Sequence, residues 1–91
     1  MLRFEWDPAK AASNRRKHGV SFEEAQSVFA DEQARLIDDP DHSIEEERFV
    51  LLGLSERLRI LIVVHCYRSA PNQIRVISAR KATREEQRFY P

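Results

Sequence analysis

Apolar positions follow two different periods along this chain of 91 residues. Phe22, Ala25, Val28 and Phe29 recur at the spacing of one helical face, which predicts a helix from about Phe22 to Ala30. Ser21-Phe22-Glu23-Glu24 opens it as a capping box. Ahead of it, Asp7-Pro8 is a helix start, with Asp7 as N-cap and Pro8 at the first helical position. That first helix runs to about His18 and stops at Gly19, which takes the left-handed conformation readily. Its only apolar residues are Ala9, Ala11 and Ala12. It should therefore pack lightly, leaving Lys10, Asn14, Arg15, Arg16, Lys17 and His18 to face something else.

After Asp31 and Glu32 the period becomes two. Ala34 to Asp38 reads as a strand, Asp39 to Ser43 as a turn, and Arg48 to Leu54 as a strand that Gly53 weakens or bulges. Leu58 to Tyr67 is apolar in its middle on both faces, the mark of a central strand. Ala70-Pro71-Asn72 turns the chain and Gln73 to Arg80 forms the last strand. Thr83-Arg84-Glu85-Glu86 is a second capping box and begins a short helix ending near Tyr90. With Phe4 to Trp6 as an opening strand, the expected class is α+β. Two N-terminal helices pack on a small antiparallel sheet, followed by a short C-terminal helix, in one domain.

Composition narrows the function classes. Hydrophobic residues at 42% and charged residues at 33% describe a globular chain. The longest apolar run, Ile60 to Val64, is too short for a membrane helix, and Met1 to Trp6 holds no signal-like core. A single cysteine, Cys66, cannot form an internal disulfide, so a cytoplasmic location is expected. Formal net charge is zero, but only by cancellation: residues 1–22 carry +3, residues 23–47 carry −9 and residues 48–91 carry +6. Twelve of the fifteen basic side chains are Arg, the planar, bidentate phosphate binder. Folding is expected to bring the two basic segments together on one face. The acidic middle is either a solvated loop or a surface that repels anions from the wrong face or meets basic residues of a partner.

Candidate chemistry is sparse. His18, His42, His65 and Cys66 have no metal-ligand spacing, and Asp38, Asp39, Asp41 and Glu45 lack the glycine of a calcium loop. No metal or cofactor is expected, and Cys66 reads as core. The informative run is Ile77 to Arg84, where a strand delivers Arg80 and Lys81 to opposite faces just before a helix N-terminus. Unpaired N–H groups and a positive dipole there favour an anion, with Arg84 and Arg88 adding charge. Alternatively, Arg80 pairs with an acid at the core edge while Arg84 and Arg88 are solvated. His65 and Tyr67 share a strand face about 7 Å apart, able to supply a proton-transfer group beside a phosphate contact. A hydrogen-bonded structural role is the other reading of His65. Lys10, Arg15, Lys17 and His18 form either a basic binding face or an ordinary solvated helix surface.

Phe4-Glu5-Trp6-Asp7-Pro8 with Lys10, Asn14 and the run Lys17 to Ala25 resembles the BrnT family of toxins. So does Ile77 to Thr83 with Glu86 and Tyr90, and the resemblance spans residues 4–90. It implies a RelE-like fold and an RNA-cleaving, translation-inhibiting toxin of a type II toxin–antitoxin module. The implied partner is a BrnA-like antitoxin with a ribbon-helix-helix region, in a hetero-oligomer with the toxin.

Metal-free RNA cleavage uses the 2′-OH as nucleophile. It needs a proton acceptor, cations for the phosphorane, and an acid for the 5′ oxygen. Arg80 is the first candidate for transition-state charge, assisted by Arg68 or Lys81, with His65 or Tyr67 for proton transfer. Lys10, Lys17 and His18, with Arg84 and Arg88, would hold RNA phosphates. The resemblance supports Lys17, His18, Arg80 and Lys81 as motif positions without separating catalysis from binding. The alternative function is a non-catalytic nucleic-acid or protein-binding module, a degraded toxin homologue that binds RNA and leaves it intact.

Overall fold

Both helix starts form as the side chains dictate. The computed structural model describes residues 1–37, 48–68 and 72–91. In it Asp7 accepts from the Ala9 N–H at 2.9 Å, and Pro8 begins α1 (Pro8–His18). Gly19 ends α1 at φ 70°, donating its N–H to the Arg15 carbonyl. Ser21 accepts from the Glu24 N–H at 3.0 Å and starts α2 (Phe22–Ser27), which tightens into a 3-10 turn at Val28–Ala30. Glu24 does not close the expected capping box. Its buried carboxylate accepts from Ser55 Oγ at 2.7 Å and from Arg59, whose Nε lies at 2.9 Å. Arg59 also donates to the Gly19 carbonyl at 3.1 Å, so one buried, paired charge ties the α1–α2 turn to the sheet. The Arg59 guanidinium holds the Glu24 carboxyl below the usual carboxylate range, against the opposing effect of burial.

Five strands follow the order β1-β5-β4-β3-β2. They are β1 (Arg3–Glu5), β2 (Arg35–Ile37), β3 (Phe49–Leu54), β4 (Ile60–Tyr67) and β5 (Gln73–Lys81). The strand apolar on both faces, β4, is central as its pattern requires. The expectation of a small antiparallel sheet is corrected: the sheet is five-stranded and mixed, because β1 runs parallel to β5 with Phe4 opposite Ile74. These two strands lie at opposite ends of the chain. No hairpin sets their direction, so periodicity along the sequence carries no sign of the pairing. An extra β5 residue, Ile77, makes the bulge, since Val64 pairs with Ser78 and His65 with Val76. Gly53 makes no bulge. A Cβ there would lie 2.7 Å from Val28 Cγ1, so glycine permits the close approach of the 3-10 turn to β3.

Each sheet face buries its own layer. One carries Leu51, Leu61, Val63, Val76 and Ala79 against Val20, Phe22, Ala25 and Val28 of the helical segment. The other carries Val50, Leu52 and Ile62 with Ala82 and Tyr90. α3 is short (Arg84–Gln87), and the tail beyond it is anchored where the Tyr90 hydroxyl donates to Asp31 at 2.7 Å. The expected turn at Asp39 to Ser43, the acidic run Glu45 to Glu47, His42, and Ala70-Pro71 lie outside the described residues. No helix among the described residues is long and apolar enough to cross a membrane.

Candidate nucleic-acid interface

A basic groove forms where α1 packs on β5. The 3.6-residue repeat puts Lys10, Asn14 and Lys17 on one side of α1. With Ser13, His18, Ile77 and Ser78 they line a concavity of about 210 Å³ that has no acidic residue among the described residues lining it. Lys10 and Lys17 have no ion-pair partner among the described residues. The expectation that Asn14 is free is corrected. It is 7% exposed, donates to the Val20 and Ala79 carbonyls at 3.0 and 2.8 Å, and accepts from the Ala79 N–H at 3.1 Å. Three bonds to backbone explain how a polar side chain is buried under this light helix. Ser13 and Ser78 were not singled out from sequence. The helical repeat from Lys10 marks Ser13, whereas Ser78 enters through the β5 bulge.

Arg80 and Lys81 leave the end of β5 on opposite faces, as expected from strand alternation. Arg80 pairs across the sheet with Ile62, on the face that holds Tyr90. Its guanidinium makes a bidentate pair with Glu86 at 2.7 and 2.8 Å, which is the core-edge acid alternative. Glu86 also accepts from the Thr83 N–H at 2.8 Å while Thr83 Oγ1 accepts from the Glu86 N–H at 3.1 Å. The protein's own carboxylate therefore occupies the start of α3, where the sequence suggested a phosphate. Arg80 is the main cause that pushes the Glu86 carboxyl down to about 2, with the Thr83 N–H adding and burial opposing. Lys81 and Arg84 are exposed, and Arg88 lies 3.9 Å from Glu85.

His65 and Tyr67 lie on the helix-covered face, opposite Arg80. Tyr67 is 43% exposed, but His65 is fully buried among aromatic rings, with ring centroids 4.8 Å from Phe29 and 5.7 Å from Tyr67. Its Nδ1 faces the Val63 carbonyl at 3.3 Å and its Nε2 has no hydrogen-bond partner among the described residues. Burial pushes the imidazole pKa below its usual value. Arg68 and Arg75 turn to Glu5, at 3.9 and 2.7 Å.

The sequence-predicted residues thus fall into three groups. Lys10, Lys17 and His18 share the α1–β5 groove. Arg80, Lys81, Arg84 and Arg88 sit around the exit of β5. His65, Tyr67 and Arg68 sit at the far end of β4. Lys81 pairs with Leu61, four strand positions from His65, a separation of about 13 Å, so the structure does not bring these two together. Nor do the basic segments merge on one face: α1 meets β5, but ion pairs with Glu5 and Glu86 divide the C-terminal cations. Among the described residues no group of three His, Cys, Asp or Glu side chains is placed to hold a metal ion.

The chain is a mixed sheet flanked by helices, with a cationic groove along one of them. The fold is shared with the ribonuclease toxin BrnT of Brucella abortus, known from a 1.1 Å crystal structure. The two superpose with a TM-score of 0.68 over 92% of this chain and 100% of that one, at 22% identity. No curated protein sequence matches the chain. The family model for the ribonuclease toxin BrnT of type II toxin–antitoxin systems matches residues 6–86. The chain belongs to that family of ribonuclease toxins, and a type II system implies an antitoxin partner.

Proposed function

We propose that the chain cleaves single-stranded RNA without a metal ion and that the scissile phosphate lies in the α1–β5 groove. One observation carries this reading: the groove gathers Lys10, Lys17 and His18 beside Ser78 with no acid among them. Of the three histidines, His42 lies outside the described residues and His65 is fully buried. His18 lines the groove, so its imidazole is one that an RNA there can touch. In this arrangement His18 accepts the proton of the 2′-hydroxyl as the 2′ oxygen bonds to phosphorus. The P–O5′ bond then breaks, leaving a 2′,3′-cyclic phosphate and a 5′-hydroxyl end protonated from solvent. Lys10 and Lys17 stabilise the crowded phosphorane. Arg80, held by Glu86, contributes charge at the end of β5 with Lys81, Arg84 and Arg88. Tyr67 and Arg68 stand apart from the reacting phosphate and His65 packs the core.

The same reading makes the protein a cytoplasmic inhibitor of translation, restrained by a BrnA-like antitoxin with a ribbon-helix-helix region. The test is cleavage of labelled RNA by the purified chain in EDTA. His18→Ala should lower the rate by about 10²–10⁴, the usual contribution of general acid–base catalysis. Lys10→Ala with Lys17→Ala should weaken binding and flatten its salt dependence. RNA bound but left intact would establish the binding-module alternative. Cleavage unaffected by His18→Ala would remove His18 from the chemistry.

A further inference from the structure

β1 pairs only with residues Gln73–Arg75 of β5, so among the described residues the same edge of β5 beyond Arg75 has no strand beside it. At Ala79 the Asn14 carboxamide takes the place of a strand's peptide group. Its Nδ2 donates to the Ala79 carbonyl at 2.8 Å, and its Oδ1 accepts from the Ala79 N–H at 3.1 Å. The remaining Nδ2 hydrogen goes to the Val20 carbonyl at 3.0 Å, just past the end of α1. Asn14 sits on the α1 side that carries Lys10 and Lys17, and Ala79 lies between Ser78 of the groove and Arg80. The groove's two walls are therefore joined by the hydrogen bonds of one buried side chain.

We infer that Asn14 is a positioning residue for RNA cleavage, holding the α1 cations at a set distance from Ser78 and the end of β5. The inference rests on the reading that RNA occupies this groove. Asn14 touches no substrate. It acts through Lys10, Lys17 and His18, whose placement decides whether the phosphate meets proton acceptor and cations together. An amide is suited to the task because it donates and accepts at once, matching both groups of one residue on an open strand edge. A carboxylate of the same shape can only accept, and would set charge against the Val20 and Ala79 carbonyls.

The test compares Asn14→Asp with the parent on a labelled uridine oligomer, at a temperature where circular dichroism shows both fully folded. KM should rise about tenfold and kcat should fall. In a Lys10→Ala, Lys17→Ala background the same substitution should change KM by less than about twofold, because the cations it positions are gone. Simple charge repulsion of RNA would persist in that background, and a merely structural amide would leave KM unchanged in both, so either result overturns the inference. Should Asn14→Asp not fold, the parent supplies the measurement by NMR. Titration with the oligomer should shift the Asn14 side-chain amide and the Ala79 N–H, and the shifts should vanish with Lys10→Ala, Lys17→Ala. Unmoved resonances overturn it. If the parent neither binds nor cuts the oligomer, the ribonuclease reading fails and this inference with it. If the parent cuts and Asn14→Asp matches it, this inference alone fails.

Discussion

Glu86→Gln separates the charge of the Arg80–Glu86 pair from its shape. The carboxamide keeps an acceptor for the Thr83 N–H, so the cap of α3 survives while the charge that faces Arg80 is removed. In the folded chain the Glu86 carboxyl titrates at about 2, against 4.5 for an unperturbed glutamate. At about 1.4 kcal/mol for each pH unit, that gap corresponds to at most about 3 kcal/mol. The Glu86 side chain is 24% exposed and that of Arg80 35%, so solvent screening brings the expected value to about 1–2 kcal/mol. Because the folded pKa lies below the unfolded one, this stabilisation is complete above about pH 4.5. It is lost as pH falls through the folded value near 2. Urea unfolding of both chains should show a gap at pH 7 that closes between pH 5 and pH 2. Each kcal/mol corresponds to roughly 4–8 °C in Tm for a domain of this size. A gap of equal size at pH 7 and pH 2.5 would mean that shape and not charge holds α3. No gap at pH 7 would show the pair to be energetically idle.

Three further outcomes can be checked by urea or thermal unfolding. Leu58 holds φ 61° in the β3–β4 turn and is 79% exposed, so Leu58→Gly should stabilise the fold by about 1 kcal/mol; a destabilised variant would contradict this. Gly53→Ala would put a Cβ 2.7 Å from Val28 Cγ1 and 2.8 Å from Ala34 Cβ, and should cost about 1–3 kcal/mol with an unchanged m-value. Burial holds the His65 imidazole pKa below its unfolded value of 6.5, so the unfolded chain takes the proton first and stability declines as pH falls below about 6.5. His65→Leu should remove that part of the slope and leave RNA cleavage within a few-fold of the parent, whereas loss of cleavage in a folded variant would restore His65 to the chemistry.

Local chemistry made much of the fold legible. Asp7, Pro8, Gly19 and Ser21 act on backbone within four residues, and all four behave as their side chains dictate. The two-faced apolar pattern of β4 required a neighbour on each side, and it has β3 and β5. Three features depend on groups far apart in sequence. The parallel β1–β5 pair joins the chain's two ends. Glu24, expected in a capping box, finds Arg59 thirty-five residues away, a stronger partner for a buried carboxylate than a backbone N–H. Gly53 reads as a weak point in a strand until Val28 is packed against it.

The candidate site divides in the same way. The cations of α1 and the alternation of Arg80 and Lys81 are properties of the sequence, because helix and strand periods set which side chains share a face. Whether a polar residue is free or buried is a property of packing. Asn14 became structural because β1 stops at Glu5 and leaves the Ala79 peptide needing a partner. His65 became core because Phe29 covers it, and the anion seat at α3 filled with Glu86 because six residues is a short reach. By itself the sequence determined the element types, their caps and the segmental charge, all of which act over a few residues. Only the tertiary structure decided which charges cancel and that two lysines and a histidine face one groove, because electrostatic pairing and burial follow distance in space.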